Sequence, residues 1–156
     1  MNYDDIVVKE LNWFKQEESD QTKNLLAQEF VDHQDTNLSF YEFLLIAKKS
    51  NEVIGVITAQ KYLPKKAILC DIVVTPEYRS KGVAIKLLKE MGIKLQKRGY
   101  DYLMGITGKD NVEALKTYKR VHTTQEEFIV TTSRLDVSIP HIQQIEDRLK
   151  YRRSTK

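Results

Sequence analysis

The chain has 156 residues, of which 41% are hydrophobic and 30% charged, and a formal net charge of +3. That length suits one domain with a sizeable core and is short for two. No apolar run approaches the ~18 residues of a membrane span, and the start, MNYDDIVVKE, has neither the basic end nor the apolar stretch of a signal peptide; a cytoplasmic protein without a membrane partner is expected.

Cys70 is the only cysteine, which excludes an intramolecular disulfide and a cysteine metal cluster. His33, His122 and His141 stand too far apart to form a ligand motif, so no metal is expected. The small net charge hides an asymmetry. Residues 1–47 carry 3 Lys+Arg against 10 Asp+Glu, and the remainder carries 22 against 12. An acidic first third beside a basic remainder suits two ligands of opposite charge, and equally suits two solvated faces.

In chain order, Ile6 to Leu11 predicts a first strand, with Trp13 and Phe14 adding apolar bulk behind it. Leu25, Leu26 and Phe30 have helical spacing within about residues 17–33, and Ser19 or Asp20 is a candidate cap. A polar, turn-rich stretch follows, ending in Phe40, Tyr41 and Phe43. Two β-rich runs, 43–48 and 53–60, flank KSNE and predict an antiparallel hairpin; Leu63-Pro64-Lys65-Lys66 turns again into a strand over 67–74. Next, Ala84, Leu87, Leu88, Met91 and Leu95 share one face of a helix that ends near Arg98-Gly99. The strand predicted over 102–107 should lie parallel to its predecessor across that helix. Gly105 inside it signals a bulge, a close ligand approach or a packing accommodation. A second helix over 112–121, a closing strand over 128–135, and a C-terminal amphipathic helix with Ile142, Ile145 and Leu149 on one face complete the chain, which ends in a basic tail.

Two motifs carry chemistry. Arg79-Ser80-Lys81-Gly82-Val83-Ala84 stands between a strand and a long helix. Its glycine admits a ligand close to the backbone, Ala84 keeps the next turn clear, and the helix N-terminus with Arg79 and Lys81 suits a pyrophosphate. Alone, such a turn is a weak signal. The second motif is Asn111-x-x-Ala114-x-x-x-Tyr118, in which Asn111 is placed to cap a helix while Ala114 and Tyr118 share one face.

The order strand, RxxGxA turn, long helix, strand, NxxAxxxY helix, strand resembles the GNAT superfamily of N-acetyltransferases over residues 43–136. The resemblance implies an α/β fold of the α+β type: a mixed, mostly antiparallel twisted sheet of about six or seven strands with helices on both faces, plus the C-terminal helix. Residues 1–137 would then form a single acyl-CoA-binding domain and 138–156 a C-terminal helix and tail. It also implies acetyl-CoA, or another short acyl-CoA, as the donor. Ile72, Val73 and Val74 would pair through their backbone with the pantetheine arm, and Arg79, Ser80, Lys81, Gly82, Val83 and Ala84 would hold the pyrophosphate. Asn111 would hydrogen-bond the donor beside Ala114, and Tyr118 would protonate the departing sulfur. A backbone N–H near Val74 would stabilise developing negative charge on the acyl oxygen. His122 and Thr123 stand where relatives often carry a glycine and an aromatic residue.

Asp71, on the strand entering the turn, is the candidate general base, with the partner of a nearby cation as its alternative role; Glu113 and His122 are weaker candidates. Cys70 reads as a small buried residue. The acidic segment 17–43 would form the acceptor wall and predicts a cationic acceptor: a small polyamine-like or aminoglycoside-like amine, or a peptide or protein amine. The alternative is a non-catalytic acyl-CoA-binding module. Residues 141–156 hold 5 Lys+Arg against 2 Asp+Glu but no aromatic stacking platform, so nucleic acid is not an expected partner. The Ile142–Leu149 face would dock on its own domain or on a second copy as a homodimer.

Overall fold

The computed structural model describes residues 5–29 and 37–120. Its centre is a five-stranded sheet in simple sequence order: β1 (Ile6–Glu10), β2 (Phe43–Lys49), β3 (Glu52–Leu63), β4 (Lys66–Val74) and β5 (Tyr102–Gly105). Neighbours run antiparallel except β4 and β5, which are parallel. The β2–β3 and β3–β4 turns each use one residue in the left-handed region, Ser50 at φ 55 and Lys65 at φ 63. The helices are α1 (Gln16–Glu29), α2 (Val83–Lys97) and α3 (Val112–Arg120), and short 3-10 turns occupy Leu38–Phe40 and Pro76–Tyr78.

Two apolar layers cover the sheet. β2 divides strictly between them: Phe43, Leu45 and Ala47 join one cluster, while Leu44 and Ile46 join the other. The first layer is completed by Val83, Leu87, Met91 and Leu95 of α2, the second by Leu25 and Leu26 of α1 with Leu11 and Leu38. A strand buried on both faces needs an apolar residue at nearly every position, and FLLIA supplies it. α2 comes close to β3 at Gly55, where an added Cβ would lie 3.1 Å from Leu87 Cδ1 and 3.2 Å from the Val73 carbonyl.

The feature that positions the site is an irregularity in β4. Thr58 pairs with Asp71, but the next residue, Ala59, pairs with Leu69, so Cys70 is an extra residue in the ladder. Before it Ala67 and Leu69 point into the α2 layer; after it Ile72 and Val74 do, and Val73 points into the α1 layer. β5 pairs with β4 only from Lys66–Tyr102 to Leu69–Gly105. Beyond that point the two strands part, and residues 70–74 have no partner strand on their β5 side among the described residues.

Several sequence expectations shift. α1 begins at Gln16 rather than at a Ser19 or Asp20 cap. The turn that launches it is made by Asn12, whose side chain accepts the Phe14 amide N–H and whose carbonyl accepts that of Lys15. Trp13 and Phe14 are exposed, because this turn throws them off the sheet. Cys70 is exposed too, since the bulged residue points away from both layers. β5 stops at Gly105, two residues short of the expected strand. The sheet has five strands among the described residues. The predicted closing strand, the C-terminal helix, and His33, His122 and His141 lie outside them. No described helix is long and apolar enough to cross a membrane.

Candidate active site

The parting of β4 and β5 creates a fork with chemistry on both sides. On the α2 side stands Tyr118, which packs partly against the first core cluster. Its hydroxyl lies over Gly105, the last paired residue of β5: a Cβ built there would sit 3.0 Å from Tyr118 Oη and 3.1 Å from Cζ. Gly105 is therefore a packing accommodation, paired in register with Leu69. Its missing side chain is the space that the Tyr118 ring fills. Burial pushes the Tyr118 phenol above its ordinary value, which keeps the hydroxyl protonated at neutral pH.

On the α1 side stands Asp71, two residues beyond the last β4–β5 pair and 7% exposed. Thr58 Oγ1 donates to Asp71 Oδ2 at 2.8 Å, and the Asp71 amide donates back to Thr58 Oγ1 at 3.0 Å. The Tyr41 hydroxyl also hydrogen-bonds to Asp71. Burial and then the Asp71 carboxylate push the Tyr41 phenol well above its usual range; the Cys70 sulfur, partly enclosed although the residue as a whole is exposed, has its thiol raised by that enclosure and then by Asp71. Sequence reasoning did not single out Thr58 or give Tyr41 a role beyond the wall. The available signal was Thr58 itself, a polar residue within the run VIGVITA where the pattern demands a buried side chain.

The cradle follows directly from the fork. After Val74 the 3-10 turn Pro76–Tyr78 brings the chain to Gly82, the N-cap of α2, at φ 83. Gly82 has no side chain to cap the helix, and its left-handed backbone is one that a Cβ would strain. Ser80 is also left-handed, at φ 59. Ser80 and Lys81 are exposed, and Ala84 is half-buried, whereas the Val83 side chain is buried in the core, leaving only its backbone for a ligand. Ile72, Val73 and Val74 likewise give their side chains to the two core layers. Arg79 donates from Nε to the Val74 carbonyl at 3.0 Å and pairs with Glu29 at the end of α1. Both Lys81 and Lys49 stack their ammonium groups on the Tyr78 ring, at 5.5 and 5.6 Å from its centre.

Asn111 does cap α3, accepting the Ala114 amide at 3.1 Å through Oδ1. Ala114 and Tyr118 share the half-buried face of that helix, and Glu113 is exposed and paired with Lys116. Three of the acidic side chains of the first third are paired within the protein. Glu18 is buried against Lys48 and Lys9, Glu10 pairs with Lys94, and Glu29 with Arg79. Two surface depressions near β1, one lined by Lys9, Lys48 and Lys49 and the other by Leu45, Ile93 and Lys94, involve none of the fork residues.

The acetyltransferase (GNAT) family matches residues 7–122 of the chain. Among solved structures, the fold is similar to AAC(6')-Iy in complex with the bisubstrate analogue CoA-S-monomethyl-acetylneamine (17% identity, 83% of this chain and 97% of that one, TM-score 0.68). It is also similar to the aminoglycoside acetyltransferase meta-AAC0020 from an uncultured soil metagenomic sample (18% identity, 85% and 97%, TM-score 0.69). A third is an IAA acetyltransferase from Bacillus cereus ATCC 14579 (23% identity, 74% and 75%, TM-score 0.63). At these identities the likeness is one of fold. No curated protein matches the chain.

Proposed function

Because the chain belongs to the acetyltransferase (GNAT) family, we propose that it transfers an acetyl group from acetyl-CoA to a cationic amine by direct attack, with Asp71 as base and Tyr118 as acid. The observation that carries this is the fork: Tyr118 Oη and the Asp71 carboxylate flank the end of the β4–β5 pairing from opposite sides. An acid that stays protonated and a carboxylate, placed across an open strand edge, suit an amine that must lose a proton while a thiol gains one.

The residues fit the donor. The left-handed Gly82 at the N-terminus of α2, with its dipole, favours a pyrophosphate, and the strand edge at 72–74 offers backbone groups to the amides of the pantetheine arm. Of that edge the Val74 carbonyl is already used by Arg79. Acetyl-CoA supplies the acetyl group activated as a thioester. Asp71 takes up the proton that the amine releases, and Tyr118 gives its hydroxyl proton to sulfur. Asn111 stands at the N-terminus of α3, in line with a role in holding the donor. A protein whose neighbours in fold include structures with CoA-S-monomethyl-acetylneamine and sisomicin is reasonably tested first on aminoglycoside-like amines.

The test is release of CoA thiol from acetyl-CoA, with acetylated product identified by mass spectrometry, using neamine, spermidine and a lysine-containing tripeptide as acceptors. Tyr118→Phe should lower kcat ~100-fold while leaving CoA affinity within a few-fold. Unchanged kcat would remove Tyr118 from the acid role. Turnover confined to anionic amines would overturn the cationic acceptor.

A further inference from the structure

The carboxylate of Asp71 is 7% exposed, so an ammonium in the cleft meets other atoms first. Two hydroxyls stand on it. Thr58 is fully buried and exchanges two hydrogen bonds with Asp71 through Oγ1, one as donor and one as acceptor. Tyr41 is placed differently. It closes the Leu38–Phe40 turn, packs against the rim of the second core cluster, and is half-buried with its hydroxyl on Asp71. Beside it Phe40 is 74% exposed, with its carbonyl held by Gln60 Nε2 at 3.1 Å. Of the two hydroxyls on Asp71, only that of Tyr41 belongs to a residue that is not fully buried.

We propose that Tyr41 is a proton relay between the acceptor amine and Asp71. The inference rests on Asp71 being the base proposed above. As an ammonium reaches Tyr41, an N–H bond breaks and its proton goes to Tyr41 Oη, while the original Tyr41 O–H breaks and its proton goes to Asp71. Two O–H bonds form, the nitrogen keeps its electron pair, Tyr41 ends neutral, and the carboxylate becomes a carboxylic acid. A phenol raised by burial and by a neighbouring carboxylate is suited to passing a proton without holding negative charge. The titratable groups acting on Tyr41 among the described residues are Asp71 and Cys70. Glu42, next in sequence, turns elsewhere: it accepts the Lys61 amide, and its charge acts on the Tyr100 phenol.

Two arms test the relay. In the first, kcat and kcat/KM are measured against pH with neamine, spermidine and the tripeptide, for the wild type, Tyr41→Phe, Asp71→Asn and a chain carrying 3,5-difluorotyrosine at position 41. Tyr41→Phe should lower kcat ~30-fold and move the acid limb of the profile to higher pH, with KM for acetyl-CoA unchanged. Difluorotyrosine, which keeps a hydroxyl, should retain the rate within a few-fold even if Tyr41→Phe melts early. The second arm needs no acceptor: in protein labelled with ¹³Cζ-tyrosine, the Tyr41 resonance should step with pH between acid and neutral conditions, and Asp71→Asn should abolish the step. A full rate in Tyr41→Phe, or a Tyr41 resonance flat across acid and neutral pH, overturns the relay. An acid limb that survives Asp71→Asn overturns the base itself. If that limb is lost in Asp71→Asn while Tyr41→Phe is unaltered, the base stands and the relay falls.

Discussion

Glu18 shows how a single buried side chain acts on the whole molecule. It is 3% exposed, with Lys48 Nζ at 2.7 Å, Lys9 Nζ at 2.9 Å and the Asn12 amide at 3.4 Å. Burial alone would raise its pKa, but the hydrogen bonds from Lys48, Lys9 and Asn12 and the charge of Lys48 outweigh burial and hold it at about 2, against an ordinary 4.5. A carboxyl whose folded value lies below its unfolded one contributes stability at pH above the unfolded value and loses it as pH falls through the folded one. The native protein should therefore lose stability between pH 4.5 and about 2, and Glu18→Gln should lose that part of the slope. At neutral pH the same variant leaves the part-buried Lys48 without its charged partner and should cost ~2 kcal/mol in urea denaturation. An unchanged acid limb in Glu18→Gln would refute the account. Gly105→Ala probes the other side of the sheet. Its methyl would press on Tyr118 at 3.0 Å, so kcat should fall ~10-fold through displacement of the hydroxyl, with the CoA affinity preserved.

At the scale of elements, spacing made the strands and helices legible. The 3.6-residue rhythm of Ala84 to Leu95 marked α2, and the β-rich runs on either side of KSNE marked β2 and β3, because each pattern has one physical explanation. The Asn12 turn was not legible, since a short polar side chain that bonds its own backbone leaves no periodicity. Nor was the bulge: an extra residue in a ladder shows only against the partner strand, and CDIVV reads as an uninterrupted run. The close approach of α2 to β3 was equally hidden. It gives a direct test, because Gly55→Ala places a methyl 3.1 Å from Leu87 Cδ1 and 3.2 Å from the Val73 carbonyl. That overpacking should cost ~2 kcal/mol. A melting temperature equal to the wild type would show that α2 can recede at no cost.

Across the whole molecule, the acidic first third and the basic remainder meet as internal partners. Glu10 with Lys94, Glu18 with Lys48 and Glu29 with Arg79 each join a residue before position 47 to one after it. The sequence shows the imbalance but not these pairings, because charges distant in sequence become neighbours only through the fold. The cradle should respond to its donor in the same global manner. CoA at about a hundredfold its dissociation constant should stabilise the protein by ~2.7 kcal/mol, visible as a rise in melting temperature. No rise at millimolar CoA would count against the whole assignment of residues 79–84.

The bulge at Cys70 also makes β4 selective about changes in length. In a regular strand, loss of one residue from the middle would flip whatever follows to the opposite face. Cys70 is the exception, because it is the extra residue between the Ala59–Leu69 and Thr58–Asp71 pairs. Deleting it would leave a regular ladder with Asp71 still opposite Thr58 and with Ile72 and Val74 still on the side of Leu87 and Met91. Relatives of this chain that are one residue shorter in this strand should therefore lose the bulge and keep the faces of residues 71–74.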